Sequence, residues 1–356
     1  MPSLRSVLGT AVLALLQLNF STCEHRGDEN PPTADSATVE NVELPGVDTA
    51  ELTRREQREW TTYVSDLLAP CPDQPVSIAQ CVKEARKCDG CKPAADFLLT
   101  QVRRGRTRSQ AEAAFRVRFS TDEVKPVEIG DSPVKGAKDA PVTVVEWADY
   151  ECPHCGMMAP ILDALVERFP GQVRFVFKNY PLAIHEHAEM AARAAVAAGK
   201  QGKFWEMHDL LFKNQASFTN DFAGFAKQLN LDIKKFLKDI DSEEVADAVA
   251  KDKKEADKLG LEGTPMIYIN GRNFTSGYFD TKEDLDDFVK LEIKLRTGKD
   301  VEPKPMPKEP EEAGDTQPVA APSGAKTVPG DKPAPSAGPG KPAPSGKSSK
   351  PAPSAK

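Results

Sequence analysis

The chain of 356 residues carries 47 basic against 54 acidic side chains, a net charge of −7, which argues against a nucleic-acid partner. Its length leaves room for two small folded regions plus unstructured segments. Seven cysteines suit an oxidising compartment, provided the chain is exported.

Export is the expectation for the N-terminus. Arg5 gives a positive start, and residues 7–18 form an apolar stretch too short to span a bilayer comfortably, so residues 1–23 read as a signal peptide. The end of this stretch, Asn19-Phe20-Ser21-Thr22-Cys23, lacks a small-x-small cleavage site. It resembles a bacterial lipobox with Cys23 as the lipidated residue, although Phe20 and Thr22 depart from the usual Leu and Gly/Ala. The alternative is a plain signal peptide or an uncleaved anchor. Either way the expected location is periplasm or cell envelope, lipid-tethered if Cys23 is modified. Residues 24–48, rich in Asp, Glu, Pro, Thr and Asn, read as a flexible acidic linker.

Residues 49–122 turn helical. Leu52, Trp60, Val64, Leu67 and Leu68 fit one amphipathic face, and further helices are predicted over 77–87, 93–103 and 108–119, with Pro93 in the first turn of its helix. So small a module buries little surface unaided. Its four cysteines, Cys71, Cys81, Cys88 and Cys91, can close one or two disulfides with three connectivities. A second redox pair at Cys88-Asp89-Gly90-Cys91 and a zinc site are the alternatives. No buried strand precedes Cys88 and only one close pair exists, so structural disulfides are favoured.

Residues 123–297 hold the decisive motif. Residues 127–134 read as an edge strand or extended lead-in, and 141–147 as a buried central strand. A polar turn follows, then Cys152-Pro153-His154-Cys155, then a helical pattern through Phe169. Cys152 falls at the first turn of a helix, where unpaired N–H groups and the dipole stabilise a thiolate, the species that attacks disulfides. Cys155, one turn on, can close a small ring and release a mixed disulfide. Zinc is the competing reading, but no second Cys-x-x-Cys or His pair follows at finger-like spacing. Glu146, a charge in an apolar run, is a candidate proton acceptor for the second thiol if burial raises its pKa; Lys178, ending the strand over 172–177, is a candidate partner for it. Pro160 is expected to kink the active-site helix, and Met157 and Met158 are expected to pack.

Residues 185–259 are Ala-rich, charged and helical. His185, Glu186, His187 and His208 invite a metal reading, but helix-surface or cap positions are favoured, since two His two residues apart do not share a helix face. Phe204, Trp205, Leu210, Leu211 and Phe212 read as core, and residues 232–258 as a solvated helix. Thr264-Pro265 precedes a strand at 266–269, Asn270-Gly271 signals a hairpin, 273–278 the return strand, and 282–295 a closing helix. Residues 298–356 are dominated by Pro, Ala, Ser, Gly and Lys, with Lys-Pro-Ala-Pro-Ser starting at 332, 341 and 350; they read as a disordered, PPII-leaning tail.

The stretches Glu128-Ile-Gly-Asp-Ser-Pro-Val, Ala140-Pro-Val-Thr-Val-Val-Glu-Trp-Ala-Asp-Tyr-Glu-Cys-Pro-His-Cys, Gln201-Gly-Lys-Phe-Trp-Glu-Met-His-Asp and Gly263-Thr-Pro-Met-Ile-Tyr-Ile-Asn-Gly resemble the DsbA-like thioredoxin-fold family over residues 127–296. The resemblance implies an α/β thioredoxin-like fold with 185–259 as its helical insertion, preceded here by the all-α module. It implies that Glu146 serves Cys155 as proton acceptor. It also implies that Pro265 is cis against the cysteines, with Thr264 beside the substrate. The segments around Cys71 and Gly105 are similar to a small helical thiol-reductase module of cytochrome c maturation, whose Cys-x-x-Cys after the first Cys-Pro is missing here.

The expected activity is extracytoplasmic thiol–disulfide exchange without a cofactor. Pro153 withholds one N–H while His154 adds a hydrogen bond or charge near the thiolate, so the first reading is a dithiol oxidase acting on exported protein thiols and recycled by a redox partner. The alternatives are a reductase or isomerase working with the four-Cys module, and a non-catalytic substrate-holding envelope protein.

Overall fold

Residues 41–217 and 222–306 are described by a computed structural model. The expected signal peptide, Cys23, the expected linker before residue 41 and the expected tail beyond residue 306 lie outside the described residues; the end of the expected linker is not a free spacer, since Leu44 is buried in the module core with Val42 and Val47 packed against it.

The module is built from four short helices whose ends the sequence specifies. Helix α1 (Arg54–Asp66) starts at a capping box in which Thr53 and Glu56 satisfy each other's backbone N–H, and α4 (Arg108–Phe119) repeats the device with Thr107 and Gln110. Helix α2 (Ile78–Lys83) is shorter than expected: Ala85 takes a left-handed φ of 47°, which ends any helix. Helix α3 (Cys91–Arg103) contains Pro93 in its first turn, where no intrahelical N–H is lost. Trp60 is fully buried at the centre and donates its Nε1–H to the Ala95 carbonyl at 3.1 Å. Leu68 departs from the expected apolar face; it lies beyond the helix end and is 62% exposed. Disulfide Cys71–Cys88 joins the loops on either side of α2, and Cys81–Cys91 joins α2 to the start of α3. Cys88 and Cys91 are therefore bonded to different partners, not to each other.

The second region is a five-stranded sheet in the order β1-β3-β2-β4-β5. Its strands are β1 (Val134–Gly136), β2 (Val142–Ala148), β3 (Val173–Asn179), β4 (Met266–Ile269) and β5 (Arg272–Asn273). Strands β2 and β3 are parallel, while β1, β4 and β5 pair antiparallel to their neighbours. This is the thioredoxin-like arrangement that the resemblance implies. Strand β2 sits in the middle, buried on both faces, which is why it reads as a continuous apolar run. Alternate residues send Val142, Val144 and Glu146 to one face and Val145 and Trp147 to the other. Helix α5 (Pro153–Arg168) covers the first face and runs on through Pro160. The insertion supplies α6 (Ala188–Gly199), α7 (Phe204–Lys213), α8 (Phe222–Gln228), α9 (Ile233–Ile240) and α10 (Glu243–Lys258).

Several expectations need correcting. The lead-in becomes strand only at Val134, and the return strand after Asn270-Gly271 is two residues long. Both turn residues have positive φ, 49° and 81°, as a tight hairpin requires. The closing helix α11 (Leu285–Thr297) starts three residues late, because Asp280 and Asp284 first hold a turn, with Asp280 accepting from the N–H of Lys282 and Glu283 and Asp284 from that of Asp280. Helix α10 is not merely solvated. Its Asp252 is buried and accepts from the Asn179 backbone, and Asp252 and Glu255 flank the buried Lys178 ammonium at 3.5 and 2.7 Å. Lys178 is therefore committed to α10 and does not pair with Glu146.

The module is fastened to the sheet region by a buried charge network. Arg118 is 3% exposed; its guanidinium bonds Glu292 of α11 at 2.8 Å and the Phe288 carbonyl at 3.2 Å, and lies 3.7 Å from the Phe288 ring centre. Burial lowers its pKa to about 10, against the attraction of Glu292, so it is charged at neutral pH. Arg272, whose guanidinium reaches the Ser120 carbonyl at 2.6 Å, and Asn270 complete the shell around Glu292. Arg118→Ala leaves Glu292 short of its main cation, and the expected loss is about 3–5 kcal/mol of unfolding free energy, read by urea denaturation.

Candidate active site

Three pieces of chain converge on Cys152. Strand β2 delivers the turn 149–151, α5 begins at Cys152, and the cis peptide Thr264–Pro265 approaches from the start of β4. Cys152 is the N-cap of α5 with Pro153 at the first helical position, so the thiol sits where free backbone N–H groups gather. Its Sγ is 3.5 Å from the Thr264 carbonyl oxygen.

The two thiols are driven apart electrostatically. A hydrogen bond from the Cys155 thiol, with smaller contributions from Thr264 and the backbone N–H groups of Cys155 and His154, brings Cys152 down to about 4 against the opposing cost of burial. Cys155 is fully buried; burial, its bond to Cys152 and the neighbouring Glu146 push it far above an ordinary thiol. The contribution His154 makes to this balance is its main-chain N–H, while its side chain is exposed at the rim.

Glu146 is wholly buried, and neither carboxylate oxygen has a hydrogen-bond partner. Burial, then the nearby Asp163 and Cys152, raise its pKa well above the usual carboxylate value. A neutral carboxyl group beside a protonated thiol can pass protons without moving an uncompensated charge through the core.

Asp149 and Gln215 were not picked out from the sequence, yet they hold the turn. Asp149 donates its backbone N–H to Cys155 Sγ at 3.5 Å, while its carboxylate accepts from the N–H groups of Glu151 and Leu182 and meets His185 Nδ1 at 2.7 Å. Glu151 pairs with His187 Nδ1 at 3.0 Å. The one available signal was Asp149 itself, since Asp two residues before a turn N–H forms Asx turns. Gln215 donates its amide to the carbonyls of Tyr150 and Cys152, both at 2.8 Å, and nothing local in the sequence marked it. His185 and His187 thus serve different carboxylates and do not form a metal pair. His208 is not at a surface: it is 1% exposed in an aromatic box with Tyr150, Phe177 and Phe212. Burial lowers its pKa to about 3. Its ring lies within ligand reach of Asp163 and Asp209, but Asp163 is held by Lys135 at 2.6 Å.

Beside Cys152 runs an open groove of about 740 Å³ whose walls include His154, Met157, Thr264, Pro265 and Phe274. Met157 is 63% exposed and forms its rim instead of packing inward, whereas Met158 is part-buried against the core.

Residues 128–291 match the family model for thioredoxin. This segment is a thioredoxin-like domain. The solved structures similar to the chain include BdbD from Bacillus subtilis, 28% identical, covering 48% of this chain and 97% of that one with a TM-score of 0.43. Another is a thioredoxin-like oxidoreductase from Silicibacter pomeroyi, 29% identical, with coverages of 48% and 95% and a TM-score of 0.40. Among curated proteins, a Na(+)/H(+) antiporter NhaA 1 from Salinispora arenicola is 40% identical over 159 residues, 44% of this chain and 24% of the relative. The chain thus spans about a quarter of the length of the curated relatives it matches. Among the described residues, no helix is long and apolar enough to cross a membrane. The family match leaves the helical module outside the thioredoxin domain, and in that domain the Cys152/Cys155 dithiol, the cis proline and the buried Glu146 all stand on one face of the sheet end.

Proposed function

We propose that the thioredoxin domain is an extracytoplasmic thiol–disulfide oxidoreductase that acts as a dithiol oxidase on exported proteins. The observation that supports this reading is the ionisation split within the pair: Cys152 low, near 4, and Cys155 high. Stabilising the thiolate stabilises the dithiol form, so the disulfide form gains by accepting electrons and becomes a stronger oxidant.

In the proposed cycle a substrate thiolate attacks Cys152 Sγ of the oxidised enzyme and expels Cys155, which takes a proton through Glu146. A second substrate thiolate then attacks the substrate sulfur of the mixed disulfide and releases Cys152 as a stabilised thiolate. The groove beside Pro265 accepts the substrate as an extended segment, with the Thr264 backbone free to pair with it in the manner of strand addition. Met157 supplies an adaptable apolar rim, suited to unrelated sequences. A membrane or periplasmic partner that oxidises the dithiol again completes the cycle.

The test is the redox equilibrium of the full chain with glutathione, the Cys152/Cys155 state being read by alkylation and peptide mapping so that the module's cysteines do not interfere. The expected potential is near the roughly −120 mV of DsbA; a value close to the roughly −270 mV of thioredoxin would overturn the oxidase reading in favour of a reductase.

A further inference from the structure

The four module cysteines form a tighter group than two separate staples require. The sulfur atoms of Cys81, Cys88 and Cys91 all lie within 4.8 Å of one another, although Cys88 is bonded to Cys71 and the other two to each other. Cys88 Sγ therefore stands within reach of both sulfurs of the neighbouring disulfide. Gly90 permits this crowding: a Cβ there would come 2.7 Å from Pro70 Cγ and 3.8 Å from Cys88 Sγ.

The two disulfides differ in access. Cys81 and Cys91 are 1% and 3% exposed, whereas Cys71 and Cys88 are part-exposed. Cys88 opens on a groove of about 650 Å³, whose walls include Asp89, Lys92, Phe97, Phe288 and Lys294. The sulfurs also differ as leaving groups. Cys91 is the first residue of α3, a 13-residue helix whose N-terminal N–H groups stabilise negative charge, and the thiol with the lower pKa leaves faster.

We propose that the module is a second redox centre in which Cys88 exchanges between Cys71 and Cys81, carrying reduction from the exposed disulfide to the buried one. An external monothiol or dithiol of the glutathione type attacks Cys71 Sγ as its thiolate; the Cys71–Cys88 bond breaks and Cys88 leaves as thiolate. Cys88 attacks Cys81 Sγ, so that the Cys81–Cys88 bond forms, the Cys81–Cys91 bond breaks and Cys91 leaves as thiolate at the start of α3. A second external thiolate attacks the external sulfur on Cys71, releasing the reductant as its disulfide and Cys71 as a thiol. Two electrons enter, one protein disulfide is lost, and the remaining one joins Cys81 to Cys88. None of these steps depends on the reaction at Cys152.

The test uses the full chain with Cys23, Cys152 and Cys155 changed to Ser, so that the proposal stands or falls apart from the oxidase reading. Cys71→Ser is added to free the Cys88 thiol. After incubation in the native state the protein is acid-quenched, denatured and labelled with N-ethylmaleimide, and its peptides are mapped by mass spectrometry. The expected result is label shared between Cys88 and Cys91, with Cys81 disulfide-bonded throughout and a Cys81–Cys88 linked peptide present. Label on Cys88 alone, with Cys81–Cys91 intact, would overturn the proposal. Should Cys71→Ser lose its helical circular dichroism, the same chain with all four module cysteines is titrated with reduced glutathione. The first species with two new thiols should then carry them on Cys71 and Cys91, and finding them on Cys71 and Cys88 rejects the exchange.

Discussion

Alkylation of Cys152 by iodoacetamide is expected to stay fast from neutral pH down to about 4, where the thiolate begins to protonate. An ordinary thiol, with a pKa of about 8.5, would slow roughly tenfold for each unit below that value. The same ionisation makes stability depend on pH in a defined direction. The folded pKa lies below the unfolded one, so the dithiol form gains a stabilisation that is complete above the unfolded pKa and disappears as pH falls through about 4. The disulfide form has no such proton. Thermal unfolding of the two forms should therefore show the dithiol form the more stable at pH 7 and the gap closing as pH falls to about 4. Cys152→Ser should cost on the order of 10³-fold or more in thiol–disulfide exchange, as loss of a nucleophile does, with no loss of fold. A flat gap with pH, or exchange that survives in the variant, would count against the assigned nucleophile.

Glu146→Leu should separate activity from stability. In the wild type the carboxyl group is buried without a partner and its pKa lies well above the usual value. The folded state then holds its proton more tightly than the unfolded state, so stability falls as pH rises above the unfolded carboxylate pKa. Removing the group should stabilise the protein at pH 4 by about 1–3 kcal/mol, the order of the cost of an unsatisfied buried polar group, and by more at pH 7, where the raised pKa adds its own penalty. Exchange through Cys155 should meanwhile slow by about 10²-fold, at the lower end for loss of a positioned proton acceptor. Glu146→Gln, which cannot take a proton, should slow exchange equally. Urea denaturation at the two pH values and stopped-flow oxidation of a dithiol peptide read both effects; an unslowed variant would remove Glu146 from the proton path.

Much of this site was legible before any coordinates because its signals are local. A β-branched run followed by a polar turn and Cys152-Pro153-His154-Cys155 specifies strand, turn and helix start in sequence order. The hairpin at Asn270-Gly271 is equally local. The cis peptide at Pro265 was legible only through the family resemblance, since an isolated Thr-Pro gives no isomer. What escaped depends on distant packing. Lys178 finds its partner on α10, 77 residues away along the chain, and nothing near Lys178 distinguishes Glu255 from Glu146. Gln215 reaches back 63 residues to the Cys152 carbonyl. His208 was misplaced because one His in a helix carries no record of the aromatic side chains that surround it. The pairing of the module cysteines was open for the same reason: three connectivities are equivalent until the helices are placed.

The network around Glu292 bears on where this polypeptide can be divided. Composition changes from the all-helical part to the sheet part near residue 123, and that junction invites a cut. Yet Arg118, on one side, neutralises a carboxylate on the other, and the Ser120 carbonyl accepts from the guanidinium of Arg272 just past the hairpin tip. A fragment beginning at residue 123 would keep Glu292 with Arg272 at 3.7 Å as its remaining cation. It would also uncover the face of Phe279 and Phe288 against which Phe97 and Arg118 pack. Such a fragment should be prone to self-association, and Arg272 of the hairpin that continues from Pro265 would lose its bond to the Ser120 carbonyl. The sheet region is therefore held in part by contacts from residues that precede it, so the piece to express is the one that starts ahead of α1.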